Sequence, residues 1–426
     1  MGSLSEDVTE KLVSAQVARS VIQTAARWLN ANPAVADVVV SLTGSNKGLM
    51  AAALLVKWLA SKIAGHAPPD TCPALETLPI ETAPELACTL AVAERLTGAE
   101  PGRHVKGVSG RLEVVRAERR VGLGITRRDG TPHPLLLLTS GTDGLPSWVT
   151  KDLPVVPQTL VVGQAATTFP TSPQTNAQLT VPIGEHRPGR SVAHHRYNAG
   201  SIGAYVRVYD EQTDRDILGF VSAAHVLSNM GRADPQDRIL SPGYPDCERD
   251  GKYTYGYLYR WHELIHHTSQ TEPDLVVNTT DIAFGSLRDS STPAINQVLD
   301  PEDPKSNLVK VSDYMSLTDI RDHTFQDVFL VGRTTPFAQG RLIGTDIQEF
   351  PIKMPNGRTY MFAHLALIES SAPHRRFSQA GDSGALVYAV RGSRCRAVGF
   401  IVGGNESYNY ITPAATCLQA MEASLV

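Results

Sequence analysis

The segment of this 426-residue sequence best suited to covalent chemistry is Gln379-Ala-Gly-Asp-Ser-Gly-Ala385. A serine hydroxyl stays protonated at neutral pH. To act as a nucleophile it needs a base within hydrogen-bond reach and donors aimed at the oxyanion it creates. Glycine at 381 lets the backbone turn so that the amides of Gly381 and Ser383 point at one spot. The apolar run Ala385-Leu386-Val387-Tyr388 then leads away as a strand. The candidate base is His225, in Gly-Phe-Val-Ser-Ala-Ala-His225-Val-Leu, where two small alanines leave room for the ring. The candidate third member is Asp281, in Thr-Thr-Asp281-Ile-Ala-Phe-Gly. A carboxylate just ahead of an apolar strand is placed to be partly buried, to accept from an imidazole nitrogen and to fix the ring tautomer. Asp274, in Glu-Pro-Asp274-Leu, is its rival; the strand-like Ile-Ala-Phe favours Asp281.

A second constellation competes. His262-Glu-Leu-Ile-His266 fits a zinc pattern in which two histidines one helical turn apart hold the metal and the glutamate acts as base. The pattern requires a helix. Here it follows Tyr253-Thr-Tyr-Gly-Tyr-Leu-Tyr-Arg-Trp261, an aromatic run with strand-like alternation. We therefore expect no metal site and no cofactor. His194-His195 and His266-His267 read as exposed loop or edge residues. The five cysteines (Cys72, Cys88, Cys247, Cys395, Cys417) form no CxxC pair and read as isolated thiols.

The elements that must position these side chains change character along the chain. Residues 8–31 carry an apolar stripe at three- and four-residue spacing and predict a helix ended by Asn30 and Pro33. Further helices are expected over 47–64 and 85–96. Val38-Val39-Val40 reads as a short strand or another helical turn. Five prolines between Pro68 and Pro84 mark a linker. From about Val105 the texture turns to short β-runs, including Leu112–Val115, Val121–Ile125 and Leu135–Thr139. Eight Lys/Arg against two Glu between Arg103 and Arg128 read as a solvated strand face, since no aromatic residue is interleaved for stacking on bases. From about Arg190 the chain reads as nearly all β, closed by a helix over 413–424. The expected organisation is a helical accessory or adaptor region (1–104), a small β-rich segment and linker (105–189), and a β domain (190–426).

Taken together, Ala-Ala-His225, Asp281-Ile-Ala and Gly-Asp-Ser383-Gly resemble the hallmarks of the trypsin-like (chymotrypsin-fold) serine proteases. The order His, Asp, Ser matches that family, with spacings of 56 and 102 residues. Val331-Gly-Arg-Thr-Thr335 with Gly340 resembles the opening hairpin of the second barrel. Val398-Gly-Phe-Ile-Val402-Gly-Gly resembles the strand lining the primary specificity pocket. The resemblance covers residues 190–426. It implies an all-β double six-stranded barrel, with His225 as general base, Asp281 as its orienter, Ser383 as nucleophile and the Gly381 and Ser383 amides as oxyanion hole. It implies a pocket bordered by Phe377, Val402, Gly403 and Gly404. Phe377 stands where secreted trypsins carry an aspartate, so a preference for Lys or Arg is not expected. Asp382 is expected to pair with Arg375 or Arg376. The pattern around Ala199-Gly-Ser-Ile-Gly203 and Thr334-Thr335 resembles an intracellular branch related to the plant narrow-leaf proteases and their bacterial relatives.

Composition narrows the function classes. Hydrophobic residues make up 42% and charged residues 19%, enough apolar material for a sizeable core. A net charge of −4 argues against a nucleic-acid coat or a membrane-surface binder. The start, MGSLSEDVTEKLV, lacks the basic-then-apolar pattern of a signal peptide, so a cytoplasmic location is expected. The expected activity is a cytoplasmic serine endopeptidase acting on proteins or peptides. Its N-terminal region is expected to recruit or restrain it through a protein partner, by analogy with bacterial defence systems. The competing readings are an inactive protease-like binding scaffold and a zinc peptidase using His262 and His266.

Overall fold

The computed structural model describes residues 19–43, 46–64, 78–97, 121–139, 153–163, 166–167, 181, 185–196, 199–246, 254–266, 277–348, 350–372 and 375–426. The chain divides into two compact units, Met1–Gln164 and Ala165–Val426.

In the first unit, helices α1 (Arg19–Ala31), α2 (Pro33–Leu42), α3 (Asn46–Ala64) and α4 (Ala83–Thr97) enclose a core containing Leu29, Val39, Leu55, Trp58, Leu59 and Leu86. Pro33 does not simply end a helix, as the sequence reading expected. It opens α2, where proline's missing N–H costs nothing and its φ suits the first turn. Val38 to Val40 accordingly belong to a helix. Strands β1 (Val121–Arg128) and β2 (Thr131–Thr139) form a hairpin turning at Asp129 and Gly130, and β3 (Thr159–Gly163) runs parallel to β2. The expected strand at Leu112–Val115, the start of the first expected helix and most of the Pro68–Pro84 linker lie outside the described residues.

The second unit begins with β4 (Ala166–Thr167) and holds two β-assemblies. Strands β5 (Ser191–His194), β6 (Gly200–Ser201), β7 (Ala204–Asp210) and β8 (Arg215–Ser222) come first, followed by the one-turn helix α5 (Ala224–Leu227). Then come β9 (Arg238–Leu240), β10 (Thr254–Trp261) and β11 (Ala283–Leu287). With the C-terminal β22 (Ala423–Leu425) they form an eight-stranded half-barrel, ordered β22-β7-β8-β11-β10-β9-β5-β6. Inward-facing Val192, Tyr205, Phe220, Leu258 and Ala283 fill its core.

A hairpin of β12 (Gln297–Leu299) and β13 (Leu308–Tyr314) and the short helix α6 (Leu317–Asp322) lead to the second assembly. There, β14 (Asp327–Val331), β15 (Ala338–Gln348), β18 (Leu365–Ser370), β21 (Tyr408–Pro413), β20 (Arg394–Gly404) and β19 (Leu386–Arg391) pair in that order, and β19 pairs back to β14. This ring is a closed six-stranded barrel. Closure leaves no unpaired edge within the ring, and Leu330, Leu342, Ile368, Val387 and Val398 fill the inside. The hairpin β16 (Phe350–Lys353) and β17 (Thr359–Phe362) extends from it. Thus the expected pair of barrels is present as one closed ring and one half-barrel.

The terminal helix is shorter than expected. Helix α7 (Ala414–Ala420) is followed by β22 rather than running on to Ser424. Among the described residues no helix is long and apolar enough to cross a membrane.

Candidate active site

His225 sits on α5, the single helical turn that follows β8. Asp281 sits two residues ahead of β11. The antiparallel register Ala283↔Ser222 places the start of β11 beside the end of β8, so both residues emerge at the same end of the half-barrel. The consequence is direct contact. Asp281 Oδ1 accepts the main-chain N–H of His225 at 3.0 Å, and Oδ2 lies 2.5 Å from the ring Nδ1. Both side chains are buried. A carboxylate can only accept, so Nδ1 carries the proton and Nε2 presents its lone pair. The rival Asp274 lies outside the described residues.

Ser383 arrives from the other assembly, on the segment between β18 and β19 of the closed barrel. Gly381 at φ 98° and Gly384 at φ 80° take left-handed conformations that a side chain would strain. A Cβ at Gly384 would also stand 2.5 Å from Ala223 N, two residues before His225. Ser201 of β6, in the half-barrel sheet, holds this turn: its N–H donates to Ser383 O at 2.9 Å and its Oγ donates to Gly381 O at 2.9 Å. A Cβ at Gly200 would touch both Val226 and Ser383 O. The serine turn and the histidine helix therefore lie against one another. His225 and Asp281 are hydrogen-bonded to each other, whereas Ser383 Oγ makes no hydrogen bond to His225 in this conformation and keeps slight exposure.

The amides on this turn divide into two sets. Those of Asp382, Gly384 and Ala385 donate to Gln379 O, Ile401 O and Asp382 O. Those of Gly381 and Ser383 donate to no acceptor among the described residues. Two neighbouring unused donors are what a developing oxyanion requires.

Asp382 is fully buried, but neither Arg375 nor Arg376 is its partner, contrary to expectation. Its carboxylate accepts from Thr335 Oγ1 (2.5 Å) and from the amides of Gln379 (2.7 Å), Thr334 (2.8 Å) and Thr335 (3.1 Å). Arg376 instead meets Glu406 at the surface, 3.2 Å away. Burial pushes the Asp382 carboxyl above the usual carboxylate range, and the four donors pull it back only in part.

The four residues expected at the pocket fall into two groups. Phe377 is fully buried in the barrel core with Leu342 and Ile368, so its ring does not border an open pocket. Val402, Gly403 and Gly404 end β20, where the ladder to β21 shifts between Ile401 and Gly403. Gly404 pairs with Asn409 on one side and with Thr167 of β4 on the other.

His262 to His266 form no helix. The segment continues from β10 in irregular conformation, with His262 N donating to Ile282 O and Glu263 exposed. The helical one-turn spacing that the zinc pattern requires is therefore not created. His194 differs from its expected exposed position: it is fully buried. It lies near His195 and Asp237, a set whose ligand atoms come within 4.8 Å of one another. Its Nδ1 accepts from Arg196 N (3.1 Å), so Nε2 holds the proton and donates to Asp237 (3.0 Å). Both ring nitrogens are thus engaged, Nδ1 by the Arg196 amide and Nε2 by Asp237.

A histidine held by a buried aspartate and a glycine-flanked serine come from two antiparallel β-assemblies, one of them a closed six-stranded barrel, whose segments meet at Ala223 and Ser201. This architecture, one closed six-stranded barrel beside a half-barrel, is the chymotrypsin-like fold. Among solved structures, Thermobifida fusca protease A is similar at 17% identity and a TM-score of 0.36, over 56% of this chain and 97% of its own. Cellulomonas bogoriensis chymotrypsin is similar at 17% and 0.34, over 56% and 97%. A glutamic acid-specific serine protease, described as using a histidine triad in substrate binding, is similar at 16% and 0.35, over 56% and 100%. No protein-family model and no curated protein matches the sequence.

Proposed function

We propose that this chain is a serine endopeptidase that cleaves protein or peptide substrates through an acyl-enzyme at Ser383. The observation that carries the reading is the double hold of Asp281 on His225, which occupies Nδ1 and leaves Nε2 as the ring's basic nitrogen. His225 Nε2 takes the Ser383 proton as Oγ attacks the scissile carbonyl. Asp281 stabilises the imidazolium that forms. The Gly381 and Ser383 amides receive the oxyanion. His225 then returns the proton to the leaving amine, and water repeats the sequence to release the acid.

The location proposed is the cytoplasm; two buried free thiols, Cys395 and Cys417, support a reducing compartment. The N-terminal region, proposed as an adaptor (1–104) and a β-rich linker (105–189), would recruit or restrain the protease domain (190–426) through a protein partner, in a defence or signalling role. A separate compact helical core supports it as a module. Incubating cell extract with wild type or Ser383→Ala and mapping new peptide ends by mass spectrometry tests the reading. Cleavage sites that vanish in Ser383→Ala support it; none with wild type contradicts it.

A further inference from the structure

We propose that Asp246 and Arg333 are positioning residues that set the direction of the Gly381 amide, through Thr334. The proposal rests on the protease reading above.

The two residues come from different β-assemblies. Asp246 ends the short turn Tyr244–Asp246 of the half-barrel, and Arg333 follows β14 of the closed barrel. Both side chains are more than nine-tenths buried. Arg333 approaches as a fork: Nε donates to Asp246 Oδ2 at 2.6 Å and Nη2 donates to Oδ1. Ser191 Oγ also donates to Oδ2. A bidentate buried pair of this kind fixes a guanidinium in one orientation.

The third nitrogen reaches the active-site turn. Arg333 Nη1 donates to Thr334 Oγ1 at 3.1 Å, and Thr334 Oγ1 donates to Ala380 O at 2.7 Å. Ala380 C=O and Gly381 N–H belong to one planar trans peptide, so they point in opposite directions. Holding the carbonyl toward Thr334 holds the Gly381 amide pointing away from Thr334. The far side of Gly381 is fixed likewise: Arg333 N donates to Ser201 Oγ (2.8 Å), which donates to Gly381 O. A Cβ at Gly381 would stand 2.5 Å from Arg333 Nη1 and 2.7 Å from Thr334 Oγ1, so the arginine lies directly against the turn. Glycine at this position can flip its peptide at little steric cost, and the relay opposes that flip.

The test uses the full chain with Arg333→Lys, Asp246→Asn and Thr334→Val, assayed on a fluorogenic peptide and with a peptide boronate that forms a tetrahedral adduct. The expected result is a fall in kcat on the order of 10- to 100-fold with KM within about twofold, and a parallel loss of boronate affinity. Thr334→Val breaks the relay while keeping the buried ion pair, so it separates positioning from folding. Wild-type kcat and boronate affinity in folded Thr334→Val would overturn the proposal, whatever the other two variants do. An inactive wild type would instead overturn the protease reading itself.

Discussion

Asp281 holds His225 at two points, ring and main chain, and so fixes both where the imidazole stands and which nitrogen is bare. Asp281→Asn keeps the shape but offers an amide N–H where a proton acceptor is needed, which favours the other tautomer. We expect kcat to fall by about 10⁴ with KM little changed, measured on a peptide substrate in steady state. A loss under tenfold would show that another group orients the ring.

Phe377 separates the two readings of its position. As a core residue, its replacement by alanine opens a cavity beside Leu342 and Ile368 and costs roughly 3–5 kcal/mol of stability. Denaturant unfolding checks the cost. Side-chain preference in a peptide library is expected to stay as in wild type; a changed preference would return Phe377 to the pocket.

Asp382 gives a pH signature. Its folded pKa is raised above the ordinary carboxylate value, so the folded state binds this proton more tightly than the unfolded chain. Its contribution to stability is full below the ordinary carboxylate pKa and declines as pH rises through the raised value. The stability of wild type minus that of Asp382→Asn is therefore expected to be largest at the acid end of a pH 3.5–7 series of urea titrations. A difference that grows toward neutral pH would mean that the four donors outweigh burial.

The His262 and His266 pattern predicts nothing for catalysis, because the segment is not helical. Peptidase activity is expected to be unaffected by a strong chelator and by His262→Ala. Inactivation by chelator, reversed by zinc, would restore the metal reading.

Much of this arrangement was legible in the chain because its parts are local. Small residues before His225, an apolar strand after Asp281 and glycines around Ser383 are features of neighbouring residues. The strands of the closed barrel carry their own β-branched and apolar runs, as in Val328–Val331 and Val387–Val390. What was not legible is set by distant or positional effects. Pro33 reads as a stop unless one knows that the next turn begins on it. Asp246, the ion-pair partner of Arg333, lies 87 residues earlier, on a turn of the half-barrel, and no spacing rule joins them. Asp382 invited a cationic partner from Arg375 or Arg376, yet main-chain amides and one hydroxyl serve it instead. The resemblance implies a pocket position for Phe377, while Gly340, whose missing side chain makes room for the ring, gives no local sign of the packing.

The central claim is that the Ser383 hydroxyl is activated by the histidine at 225. The most direct measurement is the rate and site of covalent labelling by a fluorophosphonate, read by peptide mass spectrometry on wild type, His225→Ala and Ser383→Ala. We predict one adduct, on Ser383, forming at least about a hundredfold more slowly in His225→Ala and absent in Ser383→Ala. Labelling elsewhere, or at the same rate without the imidazole, would contradict the account.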